Sequence, residues 1–213
     1  MVSGSLAMRM LLALLLLAAC STAQIQGETK IQPLTLTHQS LLRDRLALIT
    51  PSSVTGQEED RQSLALAFHD VIMAVRSDLK TIALPVALTA INRSGLAYDY
   101  RRMFDDYRAT GVFDRSSLAR IGSAVGARYL AQLKLAGFRQ ESKSRWGTFG
   151  LRIFETKSTS VRLFLQIWDC AEGAIVWEGS TEITSAYDSI NEETVTFSNV
   201  IQEAARRLIE RLP

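Results

Sequence analysis

The segment Val161 to Ile183 reads VRLFLQIWDCAEGAIVWEGSTEI. Val161, Leu163, Leu165 and Ile167 alternate with Arg162, Phe164, Gln166 and Trp168, and after Asp169-Cys170-Ala171-Glu172-Gly173 the series resumes with Ile175, Trp177, Thr181 and Ile183. A period of two marks a half-buried strand. The segment is therefore two strands joined by a five-residue turn, in which Gly173 takes a positive φ without steric cost. An antiparallel hairpin with one apolar face needs helices laid on it.

The neighbouring sequence supplies them. Upstream, Tyr129, Ala131, Leu133 and Leu135 alternate with Leu130, Gln132, Lys134 and Ala136, a further half-buried strand. Before it, Asp114 caps a helix with Leu118, Ile121 and Val125 inward, and Gly126 stands at the left-handed stop. Downstream, Ser189-Ile190-Asn191-Glu192 has a capping-box pattern. Phe197, Val200/Ile201, Ala204/Ala205, Leu208/Ile209 and Leu212 then recur at helical spacing and form one apolar stripe.

The first half of the chain reads as strands and helices in turn. Leu46 to Thr50, closed by Pro51, suits a buried strand. Thr55-Gly56-Gln57-Glu58 is a second possible capping box, leading a helix whose Leu64, Phe68, Val71/Ile72 and Val75 face inward. Thr81 to Leu84, stopped by Pro85, is a short strand. Residues 86–111 read as a broken helix carrying an aromatic stripe of Tyr98, Met103, Phe104 and Tyr107, suited to a core or to a partner groove. The expected order is β-α-β-α-α-β-β-β-α, an α/β fold with a mixed, largely antiparallel sheet and flanking helices.

Those residues resemble a known group. The helix end and strand VGARYLAQLKLAGF (Val125 to Phe138), the hairpin with its D-x-x-x-G turn and Trp-Glu-Gly exit, and the carboxyl-terminal amphipathic helix together resemble periplasmic lipoproteins of the curli-export CsgG group. That fold is shared by LpoB, PelC and the amino-terminal domain of TolB. The turn departs from the commoner D-x-x-T-G-x form by carrying Cys170 and Ala171. The resemblance implies a CsgG/TolB-N-like domain over residues 45–213. It further implies a ring, pore, scaffold or activator role in envelope export or wall assembly, with envelope protein partners and homo-oligomers.

The amino terminus agrees. Leu11 to Ala19 is an apolar run of nine residues behind Arg9, whereas a spanning helix needs about twenty. A basic start, a leucine-rich middle and a small-residue end make a secretory signal. Leu17-Ala18-Ala19-Cys20 resembles the bacterial lipobox, which implies cleavage before Cys20 and acylation of its thiol and new amino terminus. Two acyl chains already suffice for stable anchoring. Ser21, where inner-membrane lipoproteins usually carry Asp, points to the outer membrane with the domain facing the periplasm. Residues 1–19 are expected to be the signal and 20–44 a polar, lipidated tether, and Met8-Arg9-Met10 can open a compact signal by itself.

Composition excludes other classes. Loss of residues 1–19 removes only Arg9, leaving 23 basic and 22 acidic residues, nothing like the basic footprint of a nucleic-acid binder. With Cys20 acylated, Cys170 is the remaining thiol, so no intramolecular disulfide forms. His38 and His69 are the two imidazoles. His69-Asp70 has no accompanying nucleophile, the glycine pairs 122/126 and 147/150 lack the Lys-Ser/Thr of a phosphate loop, and no cofactor or metal motif occurs.

The segment 138–160, FRQESKSRWGTFGLRIFETKSTS, reads as a long insertion between strands, with Arg139, Lys143, Arg145 and Arg152 around Trp146, Phe149, Leu151, Ile153 and Phe154. Such composition suits a membrane interface or a partner surface. Arg145, Trp146, Phe149 and Arg152 are the candidate contact residues; an extended hairpin and a pore strand are the other readings of the segment. The sequence thus points to a lipid-anchored, non-catalytic accessory of envelope export or cell-wall assembly. The alternatives are a secretion-pore subunit and a periplasmic enzyme with residues 138–160 as its lid.

Overall fold

The structure is a computed structural model that describes residues 24–54, 56–146, 152–188 and 197–213. Cys20 and the signal lie outside the described residues, as do Thr55 and the Ser189 to Glu192 cap. The described elements are β1 (Gln24–Pro33), α1 (His38–Arg43), β2 (Leu46–Leu48), β3 (Ser52–Ser53), α2 (Glu58–Val75), β4 (Thr81–Ile82), α3 (Leu84–Arg93), α4 (Ala97–Thr110), α5 (Arg115–Val125), β5 (Tyr129–Trp146), β6 (Arg152–Asp169), β7 (Ala174–Asp188) and α6 (Phe197–Ile209). One sheet runs β1-β7-β6-β5-β2-β4, with β3 beside β5. The β1/β7, β7/β6 and β6/β5 pairs are antiparallel and β5/β2, β2/β4 and β3/β5 are parallel.

Helices cover both faces, so the domain has three layers. On one face α2 and α6 lay Leu64, Phe68, Ile72, Ile201, Leu208 and Ile209 onto Leu46, Leu48, Leu133, Leu163, Leu165 and Ile183. On the other, α3, α4 and α5 bring Ile91, Met103, Leu118 and Ile121 against Ala47, Ile49, Leu130 and Trp168. β2 feeds both cores, which is why it reads as an unbroken apolar run, as parallel strands covered on both sides do. In the second core Phe113 stacks on Tyr107 at 4.4 Å between centroids and meets Trp168 edge-on at 5.1 Å. The aromatic stripe of α4 is therefore mostly core. Tyr98 is the exception: it stays exposed under Arg101, and Tyr100 is the half-buried member that packs on the core instead, its hydroxyl donating to Thr50 Oγ1 and accepting from the Thr50 amide.

The turn after β6 is held by one carboxylate. Asp169 is buried, accepts from the amides of Ala171 and Glu172, and takes a 2.9 Å hydrogen bond from Arg128 Nε. Gly173 has φ 69° as the turn requires.

Two expectations change. Residues 24–33, assigned to a polar tether, form β1, ten residues paired with β7 from Gln24↔Ala186 to Pro33↔Trp177. Ile31 packs on the first core, Thr29 Oγ1 lies 2.9 Å from Thr181 Oγ1, and Arg207 of α6 donates to the Gly27 carbonyl. Second, α2 starts two residues later than a Thr55 cap implies: Gly56 turns at φ 72°, Gln57 is the N-cap, and Glu58, Glu59 and Asp60 favour the positive end of the helix dipole. Residues 138–146 and 152–160 match the extended-hairpin reading of that segment. They continue β5 and β6 as one hairpin, because the period-two pattern carries on in polar residues that an apolar count overlooks.

The fit of β1 leaves no room at Gly27. A methyl group there would come 2.6 Å from the Glu182 carbonyl oxygen, a backbone atom of β7. Gly27→Ala is expected to lower stability by about 1–3 kcal/mol, the usual cost of overpacking, measured as a shift of the urea midpoint at unchanged slope. A midpoint equal to wild type would contradict this packing.

Candidate contact surface

The helices of the second face stop short of the hairpin. Past Trp168 the face carries Gln132, Lys134, Phe164, Gln166, Glu178, Arg162 and Glu182, half-buried or exposed apart from Gln132. Polar residues stand here because alternation along β6 and β7 puts every second side chain on a side without a covering helix. Arg162 spans to Glu182 across the strands, Nε at 2.8 Å and a terminal nitrogen at 2.5 Å from the same carboxylate oxygen. Both partners are about half exposed, so the pair orients more than it stabilises.

Where α4 meets this face, a hydrogen-bond chain crosses three elements. The Tyr107 hydroxyl donates to Gln166 Oε1 at 3.0 Å, and Gln166 Nε2 donates to Glu178 Oε2 at 2.6 Å. Burial raises the Tyr107 pKa, and the Glu178 carboxylate raises it further. Gln132, almost fully buried, donates to Ser52 Oγ. Farther toward the hairpin end, Gly137, Phe138, Arg139, Ser160, Arg162 and Glu182 border a groove of about 470 Å³. It is shallow and charged, a surface for contact with no enclosing walls.

The expected contact residues divide. Arg145 and Trp146 end β5 and Arg152 opens β6; the register sets Trp146 opposite Arg152 and Arg145 opposite Phe154. Three of the four are thus brought to one end of the hairpin. Phe149 lies outside the described residues, as does Cys20. The sequence reading missed Tyr107, Gln166, Glu178, Arg162 and Glu182 as a surface. Their signal was present in the polar partners of the alternating apolar residues.

A catalytic arrangement does not assemble around the sequence candidates. The hollow between α2 and α6 is lined by Ser63, Leu66, Asp70 and Gln202 and does not include His69, and His38 Nδ1 instead lies 3.2 Å from the Pro213 carbonyl. Among the described residues no three His, Cys, Asp or Glu groups sit close enough to share a metal, and no helix is long and apolar enough to cross a membrane.

No family model matches the chain, and no curated relative matches it. Solved structures do. The chain is similar to the PelC dodecamer from Paraburkholderia phytofirmans, with TM-score 0.52 and 13% identity over 88% of this chain and 97% of that one. What they share is the fold. Weaker likenesses are to lipoprotein GNA1162 from Neisseria meningitidis (TM-score 0.46, 11% identity, 78% and 96% covered) and the LpoB C-terminal domain from Salmonella enterica (TM-score 0.38, 14% identity, 68% and 93% covered).

Cys170 packs beneath α5, where Gly122 leaves space for its sulfur. Burial pushes its thiol up to about 12, and Asp169 adds to the shift. At pH 8 the thiolate fraction is then on the order of 10⁻⁴. Iodoacetamide is expected to leave Cys170 unmodified in the folded protein and to alkylate it in urea, read by intact mass. Prompt modification without denaturant would contradict the burial.

Proposed function

We propose that this chain is a lipid-anchored lipoprotein of the outer membrane, facing the periplasm, and a non-catalytic accessory of envelope export or cell-wall assembly that works by contact. The observation that carries the reading is the lipobox ending at Cys20, placed four residues before an ordered domain with the PelC fold. A folded body so close to its anchor is confined to a layer beside the bilayer, where neighbours on the same membrane meet it at high effective concentration. The open face of β5 to β7, with its Arg162–Glu182 pair and the groove beside it, is the surface offered to a second copy or an envelope protein. Self-association is supported by the neighbour PelC, which is a dodecamer. Against the enzyme reading, with residues 138–160 as a lid, stands the pairing of residues 138–146 with 152–160 as two strands of one sheet.

The test is made in the native host. Wild-type protein is expected to take up a palmitate analogue and to fractionate with outer membranes, whereas Cys20→Ala is expected to be unlabelled and soluble in the periplasm. Light scattering of the purified soluble variant is expected to give a mass above that of one chain at micromolar concentration. An unlabelled wild type, or a variant that stays membrane-bound, would overturn the anchor; a strictly single-chain mass would overturn the assembly.

A further inference from the structure

We propose that β1 pairs antiparallel with β1 of a second copy of this chain, edge to edge about a two-fold axis through Thr29, so that the two sheets become one. The proposal rests on the self-association read above, assigns it to the β1 edge, and leaves the open face to a different partner.

Backbone geometry makes this edge competent to pair. β1 ends the strand order, and no described strand lies outside it. Thr181 Oγ1 donates to the Glu28 carbonyl, which therefore faces β7, whereas the Gly27 carbonyl accepts from Arg207 of α6. Backbone groups alternate in direction along an antiparallel strand. The amides and carbonyls of Gly27, Thr29 and Ile31 thus point outward, available to an added strand. Arg207 takes one lone pair of one carbonyl in that row, and a carbonyl oxygen has two.

Charge selects the occupant. Glu28 and Lys30 stand 3.3 Å apart with side chains 74% and 73% exposed, so both are free to reach a neighbour. Glu28 also lies directly opposite Glu182 of β7, and like charges so placed repel. A strand laid along β1 is therefore favoured if it brings a cation opposite Glu28 and an anion opposite Lys30. β1 itself, turned around, brings both. With the axis at Thr29, Glu28 faces Lys30 of the second copy and Lys30 faces Glu28 of the second copy, at sites where antiparallel Cα atoms approach to about 4.5 Å. The four charges then alternate in sign around a square.

The same charges fix the register. Moving the axis by one residue sets Glu28 against Glu28 or Lys30 against Lys30. At Thr29 the two copies exchange backbone hydrogen bonds, Gln26 faces Gln32, and Pro33, which has no N–H, falls at the end of the ladder opposite Ile25. A two-fold axis of this kind stands perpendicular to the sheet. It sets the open faces of both copies side by side, on the same side of one continuous sheet.

The test uses the soluble Cys20→Ala protein as parent, at low ionic strength because salt screens exposed pairs. Glu28→Lys and Lys30→Glu each place like charges face to face in a pair of identical copies. Each is expected to lower the particle mass in light scattering to about half that of the parent or less, as loss of a two-fold contact does, with an unchanged urea midpoint. Mixed one to one, the two variants are expected to regain the parent mass. The ion pair within each chain stays broken in both, so recovery on mixing reports contact between chains. In the parent and in the mixture, the amides of Gly27, Thr29 and Ile31 are expected to exchange about tenfold or more slowly than in either variant alone. An assembled parent whose variants keep its mass, a mixture that stays dissociated, or rapid exchange of those three amides in the assembled parent overturns the β1 pairing and leaves the assembly reading standing. A parent with the mass of a single chain overturns both.

Discussion

Pairing of β1 with β7 is the interaction on which the arrangement depends. Ten residues of ladder, a Thr29–Thr181 hydroxyl contact and an arginine from α6 on the Gly27 carbonyl fasten the first described residues to one edge of the sheet. Without that ladder the first fastened residues would be Thr35 and Leu36, whose amides both donate to the Val176 carbonyl, some fifteen residues after Cys20. With it, the sheet begins four residues after Cys20, at the end of the sheet from which the hairpin projects. An edge strand also exposes a row of unpaired backbone groups, a hazard for uncontrolled pairing. Here Glu28, Lys30 and Pro33 occupy that edge, and the first two form an exposed ion pair.

The remaining architecture distributes burial unevenly. One face of the sheet lies under α2 and α6, helices whose Leu, Ile and Phe stripes meet alternate positions of β5, β6 and β7. The other is covered around β2 and the start of β5, where α3, α4 and α5 gather the Tyr107–Phe113–Trp168 aromatic group, and no described helix covers it toward the hairpin. A sheet half bared in this way must carry polar groups that satisfy one another. The Tyr107–Gln166–Glu178 chain and the Arg162–Glu182 pair do so at the boundary and beyond it. The same uneven cover that positions these groups leaves them accessible to another molecule.

How much of this the sequence declared depends on contrast. Where apolar and polar residues alternate sharply, as in Val161 to Ile167, or recur at helical spacing, as in Val200 to Leu212, element type and inward face were both legible. So were the stops: Gly126 and Gly173 take the positive φ that their positions called for. β1 was not legible, although Ile25, Thr29 and Ile31 keep a period of two, because Gly27 interrupts the set and one side of the strand faces solvent. The far halves of β5 and β6 were legible only as one of several readings, for a related reason. Ser142 to Ser144 and Thr156 to Ser160 are polar at successive positions, so pairing there is carried by backbone and β-branched residues with no apolar stripe to betray it. Arg145, Trp146 and Arg152 were legible as unusual chemistry, but their meeting at one end of a hairpin required the register.

Amide hydrogen exchange across residues 24–33 measures the central constraint most directly. If β1 is a full member of the sheet, the amides that donate to β7 exchange as slowly as those of β7 facing them, and their protection is lost together with that of the core as urea is raised. Exchange of the whole segment at the rate of an unstructured peptide, with β6 and β7 still protected, would show the amino-terminal residues to be a free leash and would contradict the account.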